Sequence, residues 1–190
     1  MDYEVFDLFP TAVLASDLGR EFTKFEQKIF DDISKNTVQN TGNISSADNY
    51  ILKRKGLETL HDEMLEAVNF YLRSVVSATN DLNVYITQSW TNYTRPGQYH
   101  HKHLHPNSYL SGVLYINADP EKDKIYFYKQ GYKRISLPTE RYNPFNSESW
   151  WFSVGTCDLV IFPSYLTHMV EQTESKDTRI SIAFNTFLKG

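Results

Sequence analysis

The spacing of hydrophobic residues divides the chain into a helical part and a part made of short strands. Two segments, residues 20–36 and 57–79, repeat apolar side chains every three or four positions, and this spacing predicts two amphipathic helices. The apolar positions of the first helix are Phe22, Phe25, Ile29, Phe30 and Ile33. Those of the second are Leu57, Leu60, Met64, Val68, Tyr71, Leu72 and Val75. Between the helices, the Asn- and Ser-rich stretch 36–50 predicts a loop.

The other segments predict β-strands. Residues 1–15 predict one strand with a break at Pro10, and from Leu82 onward the hydrophobic period is two. In the segment 82–97 the alternation places Val84, Ile86, Gln88, Trp90 and Asn92 on one face. Further short strands are predicted at 109–117, 124–130, 133–138, 149–154, 157–163, 167–173 and 179–188. Helices followed by many strands favour an α+β fold that is mainly β, an antiparallel sandwich or barrel with the N-terminal helices packed outside.

Length and composition narrow the class of protein. A chain of 190 residues predicts a single domain, in which 1–80 supply a strand and two supporting helices and 82–190 form the core. The net charge of −4 gives no support to nucleic-acid binding. The one cysteine, Cys157, excludes an intrachain disulfide and is expected in the core. Because there is no signal-peptide pattern and no long apolar run, we expect a soluble, intracellular, cytoplasmic protein with no membrane segment.

Four of the six histidines lie within six positions, at His100, His101, His103 and His105. On a strand, His101, His103 and His105 would share one face, with His100 on the other. An H-x-H pair then offers two imidazoles to a metal such as Fe, Zn, Cu or Ni, and a third ligand must come from elsewhere. The spacing alone leaves open a pair at His101 and His103, and a histidine-rich surface that binds nothing.

Two residues near the C-terminus could complete such a site. His168 follows an apolar strand and the turn at Pro163, so it is the candidate for the third ligand, although a satisfied core histidine would look the same. Arg179 and Ser181 share one face of the last strand, and a guanidinium beside a hydroxyl is a suitable seat for a carboxylate, bound bidentately. The alternative for Arg179 is a surface salt bridge with Asp177 or Glu174.

The order of these motifs resembles the iron(II)/2-oxoglutarate-dependent dioxygenases. The resemblance rests on H-x-H-P-x-S-x-x-S-G-V-x-Y at His103–Tyr115, on F-P-S-x-L-x-H-x-V at Phe162–Val170, and on the R-x-S that follows. The lead-in with Trp90 and Asn92 is also similar to that family, and the match extends from about Val84 to the C-terminus. The resemblance implies a double-stranded β-helix, or jelly roll, that binds Fe(II) and 2-oxoglutarate and uses O2.

The resemblance also implies roles for individual residues. His103, His105 and His168 would ligate iron, and Arg179 and Ser181 would hold the distal carboxylate of 2-oxoglutarate. Asn92 and Trp90 would line the cofactor pocket, although core packing explains Trp90 as well. His105 departs from the wider superfamily, which has Asp or Glu at this position. The alternative is that His105 does not ligate the metal and that this coordination position stays open. Glu171 is a weaker candidate for the carboxylate, because it lies on the opposite strand face from His168.

Two other functions fit parts of this pattern. A three-histidine cupin would oxidise its substrate without 2-oxoglutarate, and a β-sandwich module could bind a metal or a carbohydrate without catalysis. The R-x-S motif at Arg179 favours the oxygenase, which would couple oxidative decarboxylation of 2-oxoglutarate to substrate hydroxylation. The sequence does not identify the substrate, and the aromatic content of 15% with exposed strand edges is compatible with a homodimer.

Overall fold

Two antiparallel sheets form the body of the protein, whose computed structural model describes residues 1–79, 81–131 and 137–190. The strands are β1 Leu14–Asp17, β2 Thr37–Gln39, β3 Ile44–Ser46, β4 Asn83–Thr94, β5 His100–His103, β6 Leu110–Asn117, β7 Lys124–Tyr128, β8 Ser149–Ser153, β9 Asp158–Pro163, β10 His168–Val170 and β11 Arg179–Lys189. The larger sheet has seven strands in the order β1-β9-β6-β11-β4-β3-β2, and the smaller has four in the order β5-β10-β7-β8. The architecture is the predicted jelly roll, mainly β.

The helices cover the outer face of the seven-stranded sheet. Helix α1 spans Lys24–Ile33 and α2 spans Glu58–Tyr71, which continues into a π-helical turn at Leu72–Val76. Apolar side chains of both helices pack with those of β4, β6, β9 and β11 in one cluster; its fully buried members include Leu57, Leu60, Met64, Val68, Leu114, Leu159, Ile161, Ile182 and Phe184. Both helices therefore form where the 3.6-residue period predicts them. Phe25 and Val75 were expected in this core but are exposed by 57% and 47%.

A second, smaller core lies between the two sheets. It joins Tyr115 of β6 and Phe162 of β9 to Ile125 and Phe127 of β7. The larger sheet is thus buried on both faces, against helices outside and against the smaller sheet inside. Its inner face is partly polar, which matters for the site described below.

A bulge in β4 changes which residues face inward. Asn185 of β11 pairs with Gln88 but the next residue, Thr186, pairs with Ile86, so Thr87 is an extra residue in β4. Val84 and Ile86 consequently join the helix-side core. Ser89 also points to this side of the sheet, because its Oγ accepts the backbone N–H of Leu52, a member of the same core cluster, at 3.0 Å. The predicted single face from Val84 to Asn92 is wrong, since the face reverses at the bulge.

Two predictions about the N-terminal part are also wrong. The strand predicted over 1–15 is only β1, and no strand forms before it, since Pro10 has no N–H and Phe9 adopts a positive φ of 58°. The loop predicted over 36–50 contains the hairpin β2–β3, whose second strand pairs with β4 through Ile44 and Ser45. The polar composition of this segment gave no strand signal, because a hairpin stabilised by hydrogen bonds shows no hydrophobic alternation.

One predicted strand, 133–138, lies largely outside the described residues. The strands predicted in the second half of the described chain are present as β6 to β11. Within the described ranges, no helix is long and apolar enough to cross a membrane.

Steric crowding explains the glycine in the Ser-Gly-Val motif at residues 111–113. Gly112 of β6 pairs with Phe184 of β11, and a Cβ placed on Gly112 would lie 2.2 Å from Cζ of the Phe184 ring. The ring is fully buried, so it has no free space to move into. The motif needs glycine here so that the aromatic ring can cover the strand.

We expect Gly112→Ala to lower the free energy of unfolding by about 1–3 kcal/mol through this overpacking. Urea denaturation measures the change, and Gly155→Ala is the matched control, because its Cβ would meet nothing closer than 3.5 Å. Equal stability of the Gly112 variant and the wild type would show that Phe184 repacks freely.

Helix α1 begins with a capping box that carries an ion pair. The Thr23 side chain accepts a hydrogen bond from the backbone N–H of Glu26. The Glu26 carboxylate in turn accepts one from the backbone N–H of Thr23 at 2.7 Å, and it also binds the Arg20 guanidinium. Burial would raise the pKa of Glu26, but the hydrogen bonds from Arg20 and Thr23 outweigh it and lower the pKa. The ionised form of Glu26 therefore stabilises the fold.

We expect Glu26→Gln to lower the free energy of unfolding by about 1–3 kcal/mol at pH 7, because the charge-assisted bonds are lost while the cap is kept. The depressed pKa means that this stability is present above the pKa of the unfolded chain and disappears as pH falls through the folded pKa. Urea unfolding of both proteins from pH 7 to about pH 3 should show the difference staying nearly constant down to the ordinary pKa of a glutamate, about 4.3, and shrinking below it. A constant difference would contradict the ionic role.

Candidate metal centre

Strand pairing in the smaller sheet brings the distant histidine to the histidine cluster. β5 pairs with β10 so that His103 lies directly opposite His168. His105 follows the end of β5, and its backbone N–H donates to the carbonyl of Ser164 at 3.0 Å. The three imidazoles converge, with one nitrogen from each ring within 4.8 Å of the others. Nε2 of His105 and Nε2 of His168 are 3.3 Å apart.

Hydrogen bonds fix which ring nitrogens are free in two of these histidines. Nδ1 of His103 lies 2.7 Å from the carbonyl oxygen of His101, and Nδ1 of His168 lies 3.0 Å from that of Leu166. A carbonyl oxygen only accepts, so in both rings Nδ1 carries the proton and Nε2 keeps its lone pair. Metal-binding histidines usually have this arrangement, with the non-ligating nitrogen donating to a backbone oxygen.

All three rings are held in the neutral form. Burial lowers the pKa of His105 to about 4, with a smaller contribution from His103. Burial also lowers the pKa of His103, and it lowers that of His168 well below its usual value. His168 is the most enclosed, at 3% exposure between Phe127 and Phe162. Neutral imidazoles with free lone pairs are the form that binds a metal cation.

A second group of three histidines, His100, His101 and His103, also meets within 4.8 Å. It forms because the three residues His168–Val170 of β10 lie opposite four residues, His100–His103, of β5. This irregularity brings the His100 ring onto the His103 ring, with centroids 4.7 Å apart. The expected alternation, with His100 facing away from His101, His103 and His105, is therefore wrong.

The hydrogen bonds of His100 differ from those of His103 and His168. Its Nδ1 lies 3.4 Å from Nδ2 of Asn43, and Asn43 Oδ1 accepts from the Asn40 side chain at 3.1 Å. This orients the Asn43 NH2 group toward His100, which makes Nδ1 the acceptor and puts the ring proton on Nε2. His101 is partly exposed at the rim, with Nδ1 3.3 Å from the carbonyl oxygen of Thr41.

The serines of the quoted motifs form a buried hydroxyl network beside His105. The Ser164 hydroxyl donates to Ser108 at 2.7 Å, and its oxygen lies 2.8 Å from that of Ser111. Ser111 in turn donates to Asn185 Oδ1 at 2.9 Å. Since the Ser164 carbonyl accepts the His105 N–H, the network ties β6, β9 and β11 to the backbone of His105.

Arg179 lies at the other end of the same inner face and is 4% exposed. Its Nη1 donates to Asp123 Oδ1 at 2.9 Å, so its partner is neither Asp177 nor Glu174. Among the described residues, Nη2 is buried and has no hydrogen-bond partner. Nη1 is thus already engaged, and the bidentate binding of a carboxylate by this guanidinium stays a prediction.

Three neighbouring strands place polar side chains beside Arg179. Ser181 of β11 pairs with Asn92 of β4 on one side and with Tyr115 of β6 on the other, so the three side chains share the inner face. Within the described ranges, the Tyr115 hydroxyl and Asn92 Oδ1 are buried without a partner, like Arg179 Nη2. Unpaired buried polar atoms are costly, and the Arg179 nitrogen and the Tyr115 hydroxyl are donors that a bound carboxylate would satisfy. Asn92 Oδ1 is an acceptor, so Asn92 would meet a carboxylate through its Nδ2 group.

The other candidate residues lie away from this face or at its margin. Trp90 packs near His105, with ring centroids 5.7 Å apart, so it lines the centre, and it belongs to neither core cluster. Glu171 is exposed, and His61 is on the surface, where Nδ1 lies 3.0 Å from Asp62. Cys157 is buried and its thiol donates to the carbonyl of Arg20 at 3.0 Å. Tyr115 was quoted within the motif but given no role, and nothing in the sequence pointed to Asp123.

Comparison with solved structures shows the same fold in proteins of low sequence identity. One neighbour is an oxidoreductase of the 2OG-Fe(II) oxygenase family from Burkholderia pseudomallei, with 12% identity, a TM-score of 0.55, and coverage of 92% of this chain and 83% of that one. A second is HygX from Streptomyces hygroscopicus with nickel, 2-oxoglutarate and hygromycin B bound, with 14% identity, a TM-score of 0.58, and coverage of 93% and 82%. A third is a prolyl-4-hydroxylase from Pseudomonas putida, with 13% identity, a TM-score of 0.56, and coverage of 92% of both chains.

Sequence comparison identifies the family directly. No curated protein sequence matches the chain significantly. A family model described as "Putative 2OG-Fe(II) oxygenase" matches residues 88–185, which is more than half of the chain and contains the converging histidines and Arg179. The chain therefore belongs to the 2OG-Fe(II) oxygenase family, whose members are oxidoreductases that use Fe(II), 2-oxoglutarate and O2.

Proposed function

We propose that His103, His105 and His168 hold the catalytic iron and that Arg179, with Ser181, Tyr115 and Asn92, holds the distal carboxylate of 2-oxoglutarate. Two features in the space between the two sheets support the proposal. Three neutral imidazoles converge at one end, and a buried guanidinium with an unpaired Nη2 lies at the other. The histidines bind the metal ion, and the guanidinium binds the acid that chelates it.

The state of the ring nitrogens favours this set of histidines over His100, His101 and His103. In His103 and His168 the backbone carbonyls leave the Nε2 lone pair free for a metal. In His100 the Asn43 amide places the proton on Nε2, and Nδ1 is already an acceptor. A metal at His100 would have to displace this hydrogen bond, whereas a metal at His103 and His168 displaces only the contact between His105 Nε2 and His168 Nε2, two nitrogens of the same proposed ligand set.

A third histidine in place of the usual carboxylate changes the charge of the centre. Three neutral imidazoles leave the full 2+ charge of the metal uncompensated by protein ligands. The anionic 2-oxoglutarate supplies the compensating charge, so His105 favours binding of the cofactor acid electrostatically. The same charge makes the oxidised states of the iron harder to reach.

The reaction we propose is hydroxylation of a substrate C–H bond. The bound iron and 2-oxoglutarate supply the oxidising chemistry, in which 2-oxoglutarate, O2 and R–H become succinate, CO2 and R–OH. The protein's own side chains orient the cofactor acid through Arg179 and exclude water. Phe127 and Phe162 flank His168 and give the metal an apolar wall. A small molecule or a side chain fits this chemistry as substrate.

The proposal is tested by titrating the anaerobic Fe(II) protein with 2-oxoglutarate and following the weak visible charge-transfer band of the iron-chelated 2-oxo acid. We expect the band in the wild type, and in Arg179→Ala an increase in the Kd of 2-oxoglutarate of about tenfold or more, because a charge-assisted bond is lost. Iron binding without any band in the wild type would contradict the cofactor site and favour a cupin-type oxidation that does not use 2-oxoglutarate.

Substitution of His105 tests whether it is an iron ligand. We expect His105→Ala to weaken Fe(II) binding by at least about a hundredfold, whereas His105→Asp restores binding, because a carboxylate can occupy the same coordination position. The matched control is His101→Ala in the same cluster, which should change the affinity by less than about threefold. Competition with a chromophoric chelator under anaerobic conditions measures all three. A larger loss of Fe(II) affinity in the His101 variant than in the His105 variant would show that the metal binds at His100, His101 and His103 instead.

A further inference from the structure

Asp123 is the most buried carboxylate near the cofactor seat, and neither the family motifs nor the proposed chemistry uses it. It precedes β7 and is 1% exposed. Its backbone carbonyl accepts the N–H of Val154, and its own N–H donates to the carbonyl of Asp119 at 2.7 Å. The loop from Asp119 to Asp123 is therefore closed by its own hydrogen bonds and fixed to the end of β8.

Both oxygens of this carboxylate are held in place. Oδ2 accepts from the backbone N–H of Asp119 at 2.9 Å. Oδ1 accepts from the Thr173 hydroxyl at 2.7 Å and from Arg179 Nη1 at 2.9 Å. Thr173 is 3% exposed and lies in the connection from β10 to β11. Three donors around one carboxylate leave it a single orientation.

The fixed carboxylate determines where the guanidinium of Arg179 points. An arginine side chain has many rotamers, and a buried guanidinium without a counter-charge is strongly destabilising. Because the guanidinium is planar, a hydrogen bond from Nη1 to a fixed oxygen also fixes the direction of Nη2. That nitrogen is the buried atom without a partner among the described residues, and Tyr115 close by has an unpaired hydroxyl.

We propose that Asp123 is a positioning residue for cofactor binding. It holds Arg179 through Nη1 and neutralises its charge, so that Nη2 stays directed at the distal carboxylate of 2-oxoglutarate before the cofactor arrives. The proposal rests on the proposed role of Arg179. It implies that Asp123 affects the affinity only for acids that carry the distal carboxylate.

Two ligands separate this role from a merely structural one. 2-Oxoglutarate and 2-oxobutyrate chelate iron through the same 2-oxo acid group, but only the former has a distal carboxylate. In anaerobic Fe(II) protein, the Kd of each is measured from its charge-transfer absorption. We expect Asp123→Asn to raise the Kd of 2-oxoglutarate about tenfold and to leave that of 2-oxobutyrate within twofold. A structural defect would weaken both.

Thr173 supplies a milder version of the same test, which is decisive if the Asp123 variant does not fold. Thr173→Val removes one donor to Asp123. We expect the ratio of the Kd of 2-oxobutyrate to the Kd of 2-oxoglutarate to fall about threefold, and Thr173→Ser to restore it. Glu26→Gln is the control, because it breaks a buried ion pair at α1, far along the chain from Arg179. It should leave the ratio unchanged.

The outcomes distinguish this inference from the proposed function. An unchanged ratio in Asp123→Asn and in Thr173→Val overturns the positioning role. Tighter 2-oxoglutarate binding in Asp123→Asn also overturns it, since Asp123 would then compete with the cofactor for the guanidinium. If Arg179→Gln loses the preference for 2-oxoglutarate while the Asp123 variant keeps it, only the role of Asp123 falls. If Arg179→Gln keeps the preference, the cofactor seat itself is wrong.

Discussion

The seven-stranded sheet is buried on both faces, and this constraint organises the rest of the protein. Its outer face is apolar and packs against the two helices, with Ile182 and Phe184 of β11 in the shared core. Its inner face carries Arg179 and Ser181 from the same strand, and these must find polar partners because water is excluded. The bulge at Thr87 lets β4 serve both faces, so that Asn92 lies beside Ser181. Where inner-face atoms have no partner among the described residues, the proposed cofactor acid would complete the hydrogen bonding of the donors.

Charge balance explains how such a site can exist in the metal-free protein. The converging histidines are kept neutral by burial, so no group of like charges has to be stabilised before the metal binds. Arg179 brings a full positive charge to the inner face, and Asp123 neutralises it. The metal and the cofactor acid then enter as opposite charges that compensate one another. A third histidine in place of a carboxylate fits this balance, because the second negative charge comes from 2-oxoglutarate.

The sequence predicted the features that depend on local periodicity. Both helices, the strands around Trp90, Tyr115 and Phe162, and the nearness of His168 to the histidine cluster follow from spacing or from the family resemblance. The hairpin β2–β3 and the bulge at Thr87 could not be predicted, because hydrogen bonds rather than apolar residues determine them. The Arg179–Asp123 pair joins residues 56 positions apart, and with six acidic residues closer to Arg179 in sequence there was no reason to choose Asp123. Long-range polar pairing of this kind requires the fold.

We propose that iron and 2-oxoglutarate occupy the space between the sheets, from the histidines to Arg179. The most direct test is a crystal structure of the protein grown anaerobically with Fe(II) and 2-oxoglutarate. Our account predicts the metal bound by Nε2 of His103 and of His168 together with the His105 ring, and a distal carboxylate oxygen within hydrogen-bond distance of Arg179 Nη2. A metal bound by His100, His101 and His103, or a cofactor whose distal carboxylate contacts neither Arg179 nor Tyr115, would contradict it.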